Sequence, residues 1–123
     1  MLSTSIGWIL IVSGLVTAVG GLTALVSPQP FLRLGFGVKS IDGATVFFTR
    51  YWGLLICLIA ALIVYSAYVP TIRIPVLIVA AIEKCANVIW IFFGPVKRTT
   101  PMSAIAITDG VFAILYIAYL AGL

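Results

Sequence analysis

The chain has few charged residues, two cysteines and no histidine. Only 8% of its 123 residues are charged, whereas an average soluble domain has about 25%. Without histidine the chain lacks the commonest general base and the commonest metal ligand, which excludes a Ser-His-Asp triad and histidine-ligated haem or zinc. Cys57 and Cys85 form no CxxC pair, so a dithiol redox centre is not expected. We therefore expect neither a metal nor a cofactor.

Most of the chain is apolar. Hydrophobic residues make up 63% of the sequence, and the mean hydropathy is +1.30. The formal net charge of +4 comes from basic residues scattered through apolar runs. Such residues form no basic face, so we expect no nucleic-acid partner. The composition instead predicts a protein that is integral to a membrane and surrounded by the lipid bilayer.

Four apolar runs are long enough to cross a bilayer, which takes about 20 residues in a helix. Strands are excluded because an open sheet edge cannot lie in lipid. The sequence therefore predicts an all-α integral membrane protein, with residues 1–123 forming a single transmembrane domain. Its four-transmembrane-helix bundle has a short interfacial segment between the first two helices. The predicted spans 1 to 4 are 6–26, 47–68, 74–94 and 103–122.

Residues at the ends of these spans support their boundaries. Pro75 suits the first turn of span 3, where a missing N–H costs little. Gly94-Pro95 is expected to end that span, and Ser103 is expected to cap span 4. The connection 27–46, sequence "SPQPFLRLGFGVKSIDG" and onwards, alternates apolar residues with polar ones and glycine. It is predicted to be a short re-entrant or interfacial piece, or a lid over the bundle.

The charges in the loops predict the orientation, because basic residues favour the cytoplasmic side. The basic residues outside or at the edge of the spans are Arg33, Lys39, Arg50, Arg73, Lys97 and Arg98. All except Arg73 lie in or beside the loops 27–46 and 95–102. We therefore expect those two loops in the cytoplasm and both termini outside. In span 1, Gly7, Gly14 and Gly21 recur every seven residues, which predicts a close helix–helix contact.

Four ionisable residues fall within the spans: Arg50, Glu83, Lys84 and Asp109. One isolated charge at the centre of a membrane helix costs about 2.5–3.5 kcal/mol. The rise of about 1.5 Å per residue places Asp109 and Asn87 at one level, within reach of both cations. We therefore expect Asp109 to pair with Lys84 or Arg50, and Glu83 to pair with the other cation. Such a cluster is either a structural clasp or part of a pocket.

Further residues repeat at helical spacing with these charges and favour the pocket. Span 3 has Glu83, Asn87 and Trp90; span 4 has Asp109, Phe112, Ala113 and Tyr116; span 2 has Arg50, Gly53, Leu54 and Cys57. An apolar cavity with a few convergent polar groups is the usual form of a small-molecule site. The candidate catalytic residues are Asp109 and Glu83. The candidate binding residues are Arg50, Lys84, Asn87, Trp90, Phe112 and Tyr116.

Short motifs in all parts of the chain carry a family resemblance. "PFLRLGFG" follows span 1, "RYWG" opens span 2, a lysine lies in the middle of span 3, and "DGVFAILY" lies in span 4. The chain resembles the DoxX-like group of small four-helix bacterial membrane proteins over nearly its whole length. The resemblance implies the bacterial inner membrane and a lipophilic partner, since some members are subunits of quinone-linked sulfur oxidation. It carries over to Arg50, Gly53, Lys84 and Asp109, whereas Glu83 departs from the pattern.

Three functions compete at this point. The first is an intramembrane pocket for a lipophilic small molecule, such as an isoprenoid, a sterol-like compound or a quinone. A carboxyl group kept protonated in such a pocket can act as a general acid, for example in isomerisation or cyclisation. The second is a non-catalytic accessory or structural subunit of a membrane complex, and the third is a small proton-coupled transporter using Glu83. The sequence leaves open whether the protein is an enzyme, and whether its partner is a second copy or another membrane subunit.

Overall fold

The computed structural model describes residues 2–94 and 97–123. Throughout these residues the regular structure is helical, and four long helices account for most of it. In chain order the helices are α1 (Leu2–Val26), the short turn α2 (Pro28–Pro30), α3 (Gly43–Tyr68), α4 (Arg73–Phe93) and α5 (Thr100–Leu120). A π-helical turn, Phe31–Gly35, follows α2, and a 3₁₀ turn, Pro70–Ile72, precedes α4.

The four long helices are long and apolar enough to cross a membrane. The segments that qualify are Thr4–Val26, Gly43–Tyr68, Pro70–Phe93 and Thr100–Leu120. Their outward faces carry large exposed apolar side chains, including Val19, Leu58, Ile82 and Ile114, which suit lipid rather than water. The prediction of an all-α four-transmembrane-helix bundle is confirmed, and the chain is a small membrane protein.

Helix α1 packs most extensively along α3, and α4 along α5. Glycines allow the first pair to approach closely. A Cβ atom on Gly53 would lie 2.7 Å from the carbonyl oxygen of Gly21, and one on Gly14 would lie 3.2 Å from the carbonyl oxygen of Ala60. By contrast, a Cβ atom on Gly7 would meet nothing within 4 Å. Two of the three predicted glycines therefore form the close contact with α3, and Gly7 does not.

Side-chain caps explain why two helices begin earlier than predicted. The Asp42 carboxylate accepts hydrogen bonds from the N–H of Thr45 at 2.8 Å and from its hydroxyl at 2.7 Å. It thereby caps α3, which begins at Gly43, four residues before the predicted start of span 2. The Thr99 hydroxyl accepts from the N–H of Met102 at 3.2 Å and caps α5. The prediction that Ser103 is the cap was therefore wrong, because α5 has already begun there.

Helix α4 begins and ends close to the predicted positions. Pro75 lies in its first turn, as expected. The helix ends at Phe93 and Gly94 follows it, whereas Pro95 lies outside the described residues. At the opposite end, the Arg73 guanidinium donates to the carbonyl oxygens of Ser66 and Ala67 at 3.0 and 3.1 Å. Arg73 thus satisfies carbonyl groups in the last turn of α3.

The connection between α1 and α3 lies against the ends of the helices. The Phe31 ring packs on the rings of Phe36 and Trp52, with centroids 5.2 and 5.6 Å apart. The Thr99 hydroxyl donates to the carbonyl oxygen of Gly35 and so ties the start of α5 to this connection. Gly37 has a φ of +67°, a backbone conformation that favours glycine. This connection, residues 27–42, is called the interfacial segment below.

A layer formed by the polar side chains of Glu83, Lys84, Asn87 and Asp109, called the polar layer below, separates two apolar clusters in the core. One cluster, towards the chain termini, contains Ile6, Leu10, Ile63, Leu77, Ala80, Ala81 and Tyr116. The other, towards the interfacial segment, contains Ile91, Met102 and Ala106. Along α4 and α5 the ionisable residues fall between these two clusters. The polar layer therefore lies near mid-depth of the bundle, with Lys84 1% exposed and the Glu83 and Asp109 side chains 17% and 15% exposed.

Candidate functional site

The Lys84 side chain lies at the centre of the polar layer. It is 1% exposed, and its ammonium group contacts helices on two sides. The Nζ atom donates to Thr17 Oγ1 on α1 at 2.9 Å and to Asp109 Oδ1 on α5 at 3.0 Å. The Phe112 ring centroid is 5.6 Å from Nζ, within the range of a cation–π contact. Lys84 thus connects α4 to α1 and to α5.

The Asp109 carboxylate accepts a hydrogen bond on each oxygen. Oδ1 accepts from Lys84, and Oδ2 accepts from the Asn87 amide at 2.6 Å. Both donors come from α4, three residues apart, so they meet one carboxylate on the neighbouring helix. Of the two cations considered for Asp109 from the sequence, the structure places Lys84 beside it.

Glu83 differs from the other members of the layer. Its Oε1 atom lies 3.9 Å from Lys84 Nζ, too far for a hydrogen bond. That oxygen is buried and has no hydrogen-bond partner. Among the side-chain oxygen and nitrogen atoms of residues 2–94 and 97–123, no other buried atom lacks a partner. Buried polar groups are nearly always hydrogen-bonded, so such an atom calls for an explanation. The layer also holds two carboxyl groups but one ammonium group.

Two hydroxyl groups on α1 extend the layer. The Tyr116 hydroxyl donates to Ser13 Oγ, and Tyr116 is fully buried. Thr17 Oγ1 donates to the carbonyl oxygen of Ser13 at 2.7 Å while it accepts from Lys84. The hydrogen bonds therefore run from Tyr116 through Ser13 and Thr17 to Lys84. They hold α1, α4 and α5 in one register.

A cavity of about 280 Å³ is lined in part by the Glu83 side chain, although its unpartnered Oε1 atom is itself buried. Its polar wall consists of Thr17, Glu83, Lys84, Thr108 and Asp109. Its apolar wall consists of Val16, Val19, Gly20, Phe31, Trp52, Ile56, Ala104 and Ile105. Val16 and Val19 on α1 are 44% and 66% exposed, and Ala104 on α5 is exposed as well. The cavity therefore reaches the lipid-facing surface between α1 and α5.

A second cavity, of about 450 Å³, lies on the side of the interfacial segment. It is lined by Phe31, Leu32, Phe36, Thr45, Phe48, Thr49, Trp52 and Asn87. Phe31 and Trp52 line both cavities, so their packed rings form the partition between them. The Asn87 amide faces the second cavity, while Glu83 and Lys84 face the first.

The structure does not bring all predicted site residues together. Arg50 is exposed and lines an outward groove with Phe47 and Tyr51, away from the polar layer. Trp90 is 71% exposed. The buried face of α4 is centred near Lys84, so the face through Glu83, Asn87 and Trp90 is turned by about a quarter of a turn. Glu83 therefore lies at the edge of the buried face, and Trp90 lies outside it.

Sequence reasoning missed four residues of the site. Ser13 and Thr17 supply hydroxyl groups from α1, and Phe31 and Trp52 supply the aromatic partition. Ser13 and Thr17 are one helical turn apart in an otherwise apolar span, which is a signal for a polar contact. Phe31 lies in the interfacial segment, and no periodicity indicates which way such a ring points.

The layer consists of ionisable and hydrogen-bonding side chains. Within the described residues no three histidine, cysteine, aspartate or glutamate side chains are close enough to hold a metal ion. Comparisons of the chain with protein-family models, with curated proteins and with solved structures found no match. Fold and site together define a small four-span membrane protein with a buried polar layer beside a lipid-accessible cavity.

Proposed function

We propose that this protein binds a lipophilic small molecule in the cavity between α1 and α5. The observation that carries the proposal is the composition of the cavity wall. Apolar side chains form most of it, and Glu83 and Lys84 meet at one point of it. Concave, mostly apolar sites with a few convergent polar groups are the usual form of small-molecule sites. The mouth between Val16 and Ala104 faces lipid, so a lipophile reaches the cavity from the bilayer.

The hydrogen bonds favour a pocket over a structural clasp. A clasp is complete when its members satisfy one another, and Lys84, Thr17, Asp109 and Asn87 do so. Glu83 Oε1 is left over, and the Glu83 side chain lines the cavity. An unsatisfied buried acceptor costs about 1–3 kcal/mol. A clasp has no use for this extra carboxyl group, whereas a carboxyl group in a cavity wall can serve a ligand.

We also propose that Glu83, rather than Asp109, carries any acid–base chemistry. Both Asp109 oxygens are occupied by donors from α4, so Asp109 positions Lys84. The Glu83 side chain lines the cavity and is 17% exposed, so a bound molecule can contact it. The layer has two carboxyl groups and one ammonium group, so one of the carboxyl groups can hold an additional proton. In this proposal Glu83 holds that proton and donates it to a substrate. Isomerisation or cyclisation of an unsaturated lipophile is the reaction class that fits.

For the cellular setting, we propose the bacterial inner membrane and membership of the DoxX-like group. The sequence motifs that resemble that group support both. The proposed orientation has 27–46 and 95–102 in the cytoplasm and both termini outside. It is supported by the exposure of Arg33, Lys39, Lys97 and Arg98 at one end of the bundle. Arg73, at the other end, is engaged with backbone carbonyls.

The test of the binding function uses two glycines of the same helix. Gly20 lines the cavity, and a Cβ atom there would meet nothing within 4 Å. Gly20→Phe is therefore expected to place its ring in the cavity, because its Cβ atom would meet no neighbour. Gly7 also has open space at its Cβ position, so Gly7→Phe is the matched control. Each protein is purified from its membrane and studied by native mass spectrometry with extraction of bound lipophiles.

The proposal predicts one stoichiometric small lipophile on the wild type and on Gly7→Phe, and its loss from Gly20→Phe. An apo mass for all three proteins would contradict the proposal. It would favour an accessory subunit, to be sought through co-purifying membrane proteins. A lipophile kept by Gly20→Phe would place the binding site elsewhere.

A further inference from the structure

A groove on the outer surface of α1 and α3 contains Arg50, a charged residue that the proposed function leaves unused. The groove has a volume of about 390 Å³. It is called the Arg50 groove below, and the residues that line it besides Arg50 are Leu25, Gly43, Val46, Phe47, Tyr51 and Leu54. We infer that the Arg50 groove binds a phospholipid with a negatively charged headgroup. It shares no lining residue with the cavity between α1 and α5, so this inference does not depend on the proposed function.

Arg50 lies within a membrane-spanning helix and faces outwards. The spanning segment begins at Gly43, and Arg50 follows about 10 Å further along the helix axis. Arg50 is exposed, and its neighbours Phe47 and Tyr51 are 59% and 53% exposed. In a bilayer these side chains contact lipid. A charge at such a position is unfavourable unless it reaches the headgroup region or meets an anion.

Within the described residues, the protein supplies no anion to Arg50. The chain has three acidic residues. Glu83 and Asp109 lie in the polar layer, and the Asp42 carboxylate caps the start of α3. In the part of the chain that the structure describes, Arg50 forms no ion pair and no side-chain hydrogen bond. The phosphate group of a lipid is the anion that the membrane offers at this position.

The guanidinium group favours a lipid whose headgroup has a net negative charge. Guanidinium forms paired hydrogen bonds to the oxygens of a phosphate group, so it can hold a headgroup in one orientation. A zwitterionic headgroup carries its own ammonium group, which competes with Arg50 for the phosphate. An anionic headgroup has no such cation, and Arg50 is then the group that compensates its charge. Charge complementarity therefore favours phosphatidylglycerol over phosphatidylethanolamine.

The apolar walls of the Arg50 groove suit an acyl chain. From Gly43 to Leu54 the groove follows α3 for about 16 Å. Leu25 on α1 closes its deep end, because a Cβ atom on Gly53 would lie 2.7 Å from the backbone nitrogen of Leu25. Apolar side chains therefore continue past Arg50 towards the middle of the bilayer. A free phosphate ion would leave these walls uncovered, whereas a phospholipid covers them with its chain while its phosphate meets Arg50.

The experiment compares phosphatidylglycerol with phosphatidylethanolamine that has identical acyl chains. The full-length protein is stripped of lipid in detergent, and each lipid is then titrated. Native mass spectrometry measures the apparent dissociation constant of the first lipid bound. One basic residue near an anionic lipid surface contributes free energy that corresponds to about a fivefold change in affinity. We therefore expect the wild type to bind phosphatidylglycerol about fivefold more tightly.

Two arginine variants assign this preference to one residue. Arg50→Gln removes the charge from the groove, and the preference for phosphatidylglycerol should fall to about twofold or less. Arg33→Gln is the matched control, because Arg33 is an exposed arginine at the same end of the bundle and outside the groove. It changes the net charge of the protein by the same amount and should retain the wild-type preference.

Two leucine variants test the position of the acyl chain. Leu54→Trp places a larger side chain at the deep end of the groove and leaves Arg50 intact. It should weaken the binding of phosphatidylglycerol by about threefold or more. Leu58→Trp is the control, since Leu58 is 53% exposed, one turn further along α3 and outside the groove, and it should bind as the wild type does.

Each contrary result overturns a stated part of the inference. Equal affinities of the two lipids for the wild type would overturn all of it, and this comparison needs no variant. A preference retained by Arg50→Gln would overturn the assignment to Arg50. An equal loss in Arg33→Gln would show attraction to the net charge of the protein and no site in the groove. Unchanged binding by Leu54→Trp would overturn the position of the acyl chain. The cavity between α1 and α5 has its own test in Gly20→Phe, so the two proposals can fail separately.

Discussion

Replacing Lys84 with methionine removes the ammonium group around which the polar layer is built. Lys84 is 1% exposed and bonds to Thr17 and Asp109. In Lys84→Met the Asp109 carboxylate keeps the Asn87 amide but loses its cation. Removing one partner of a buried ion pair costs about 3–5 kcal/mol, because the other charge is left uncompensated. We expect the free energy of unfolding to fall by that amount, which is a large share of a typical total of 5–15 kcal/mol.

A double variant separates the charge from the packing. Lys84→Met with Asp109→Leu removes both members of the pair and leaves apolar side chains of similar size. Buried ion pairs are often replaced in this way at little cost. The double variant should therefore be more stable than Lys84→Met alone, with a coupling energy of about 2–3 kcal/mol. It should nevertheless fail to bind the lipophile, because Lys84 is absent from the cavity wall.

The assay is reversible unfolding in mixed micelles, followed through tryptophan fluorescence. Lys97→Met is the control, because Lys97 is exposed and outside the helices, and it should change stability by no more than about 0.5 kcal/mol. A Lys84→Met protein within 1 kcal/mol of the wild type would refute the reasoning. A double variant that retains the lipophile would show that the layer is a clasp and not part of the site.

Three further predictions concern the frame around the site. Gly53→Ala should destabilise the protein by about 1–3 kcal/mol, since its Cβ atom would lie 2.7 Å from backbone atoms of α1. Gly20→Ala should leave the stability unchanged, because a Cβ atom there meets nothing within 4 Å. The unfolding assay described above measures both variants. The hydrogen bond from the backbone N–H of Thr45 lowers the pKa of Asp42 below its usual value of 3.8. The cap therefore stabilises α3 fully above pH 3.8, and this stabilisation is lost as the pH falls through the lowered pKa of the folded protein. The NMR chemical shift of the Thr45 amide should follow this titration, and Asp42→Asn should abolish the pH dependence of that shift. A cysteine at Ser40, in a variant without the native cysteines, should react with a membrane-impermeant maleimide only after the cells are opened; labelling of intact cells would reverse the proposed orientation.

The helices could be predicted from the sequence because length and hydropathy alone specify spans in lipid. Their starts could not be predicted as well. Asp42 and Thr99 cap α3 and α5 ahead of the apolar runs. A hydropathy profile locates apolar runs only, so it does not show where a capping side chain starts a helix. Asp42 and Thr99 are nevertheless residue types that favour N-caps, and each lies a few residues ahead of an apolar run, which is a signal for the helix start.

The site could be predicted in part for a related reason. Depth follows from counting residues along a helix, so the level shared by Asn87 and Asp109, and the reach of the Lys84 side chain to it, could be derived. The direction around the helix axis could not, because the spans are apolar on all sides and leave their inward face unmarked. Arg50 shows the consequence, since it lies on the outward surface of α3. A long basic side chain near a helix end can reach the membrane interface from there.

The central claim is that a small lipophile occupies the cavity between α1 and α5. It is tested most directly by a photoreactive diazirine analogue of leucine placed at one of two positions on α5. Ile105 lines the cavity, whereas Ile107 is 61% exposed to the surroundings of the bundle. The labelled protein is irradiated in its native membrane, and the adducts are identified by mass spectrometry.

The account predicts one discrete small adduct at position 105, and a mixture of bulk phospholipid adducts at position 107. The discrete adduct should disappear when Gly20→Phe is added. The same phospholipid mixture at both positions would contradict the account, because the cavity would then be an ordinary lipid-filled crevice.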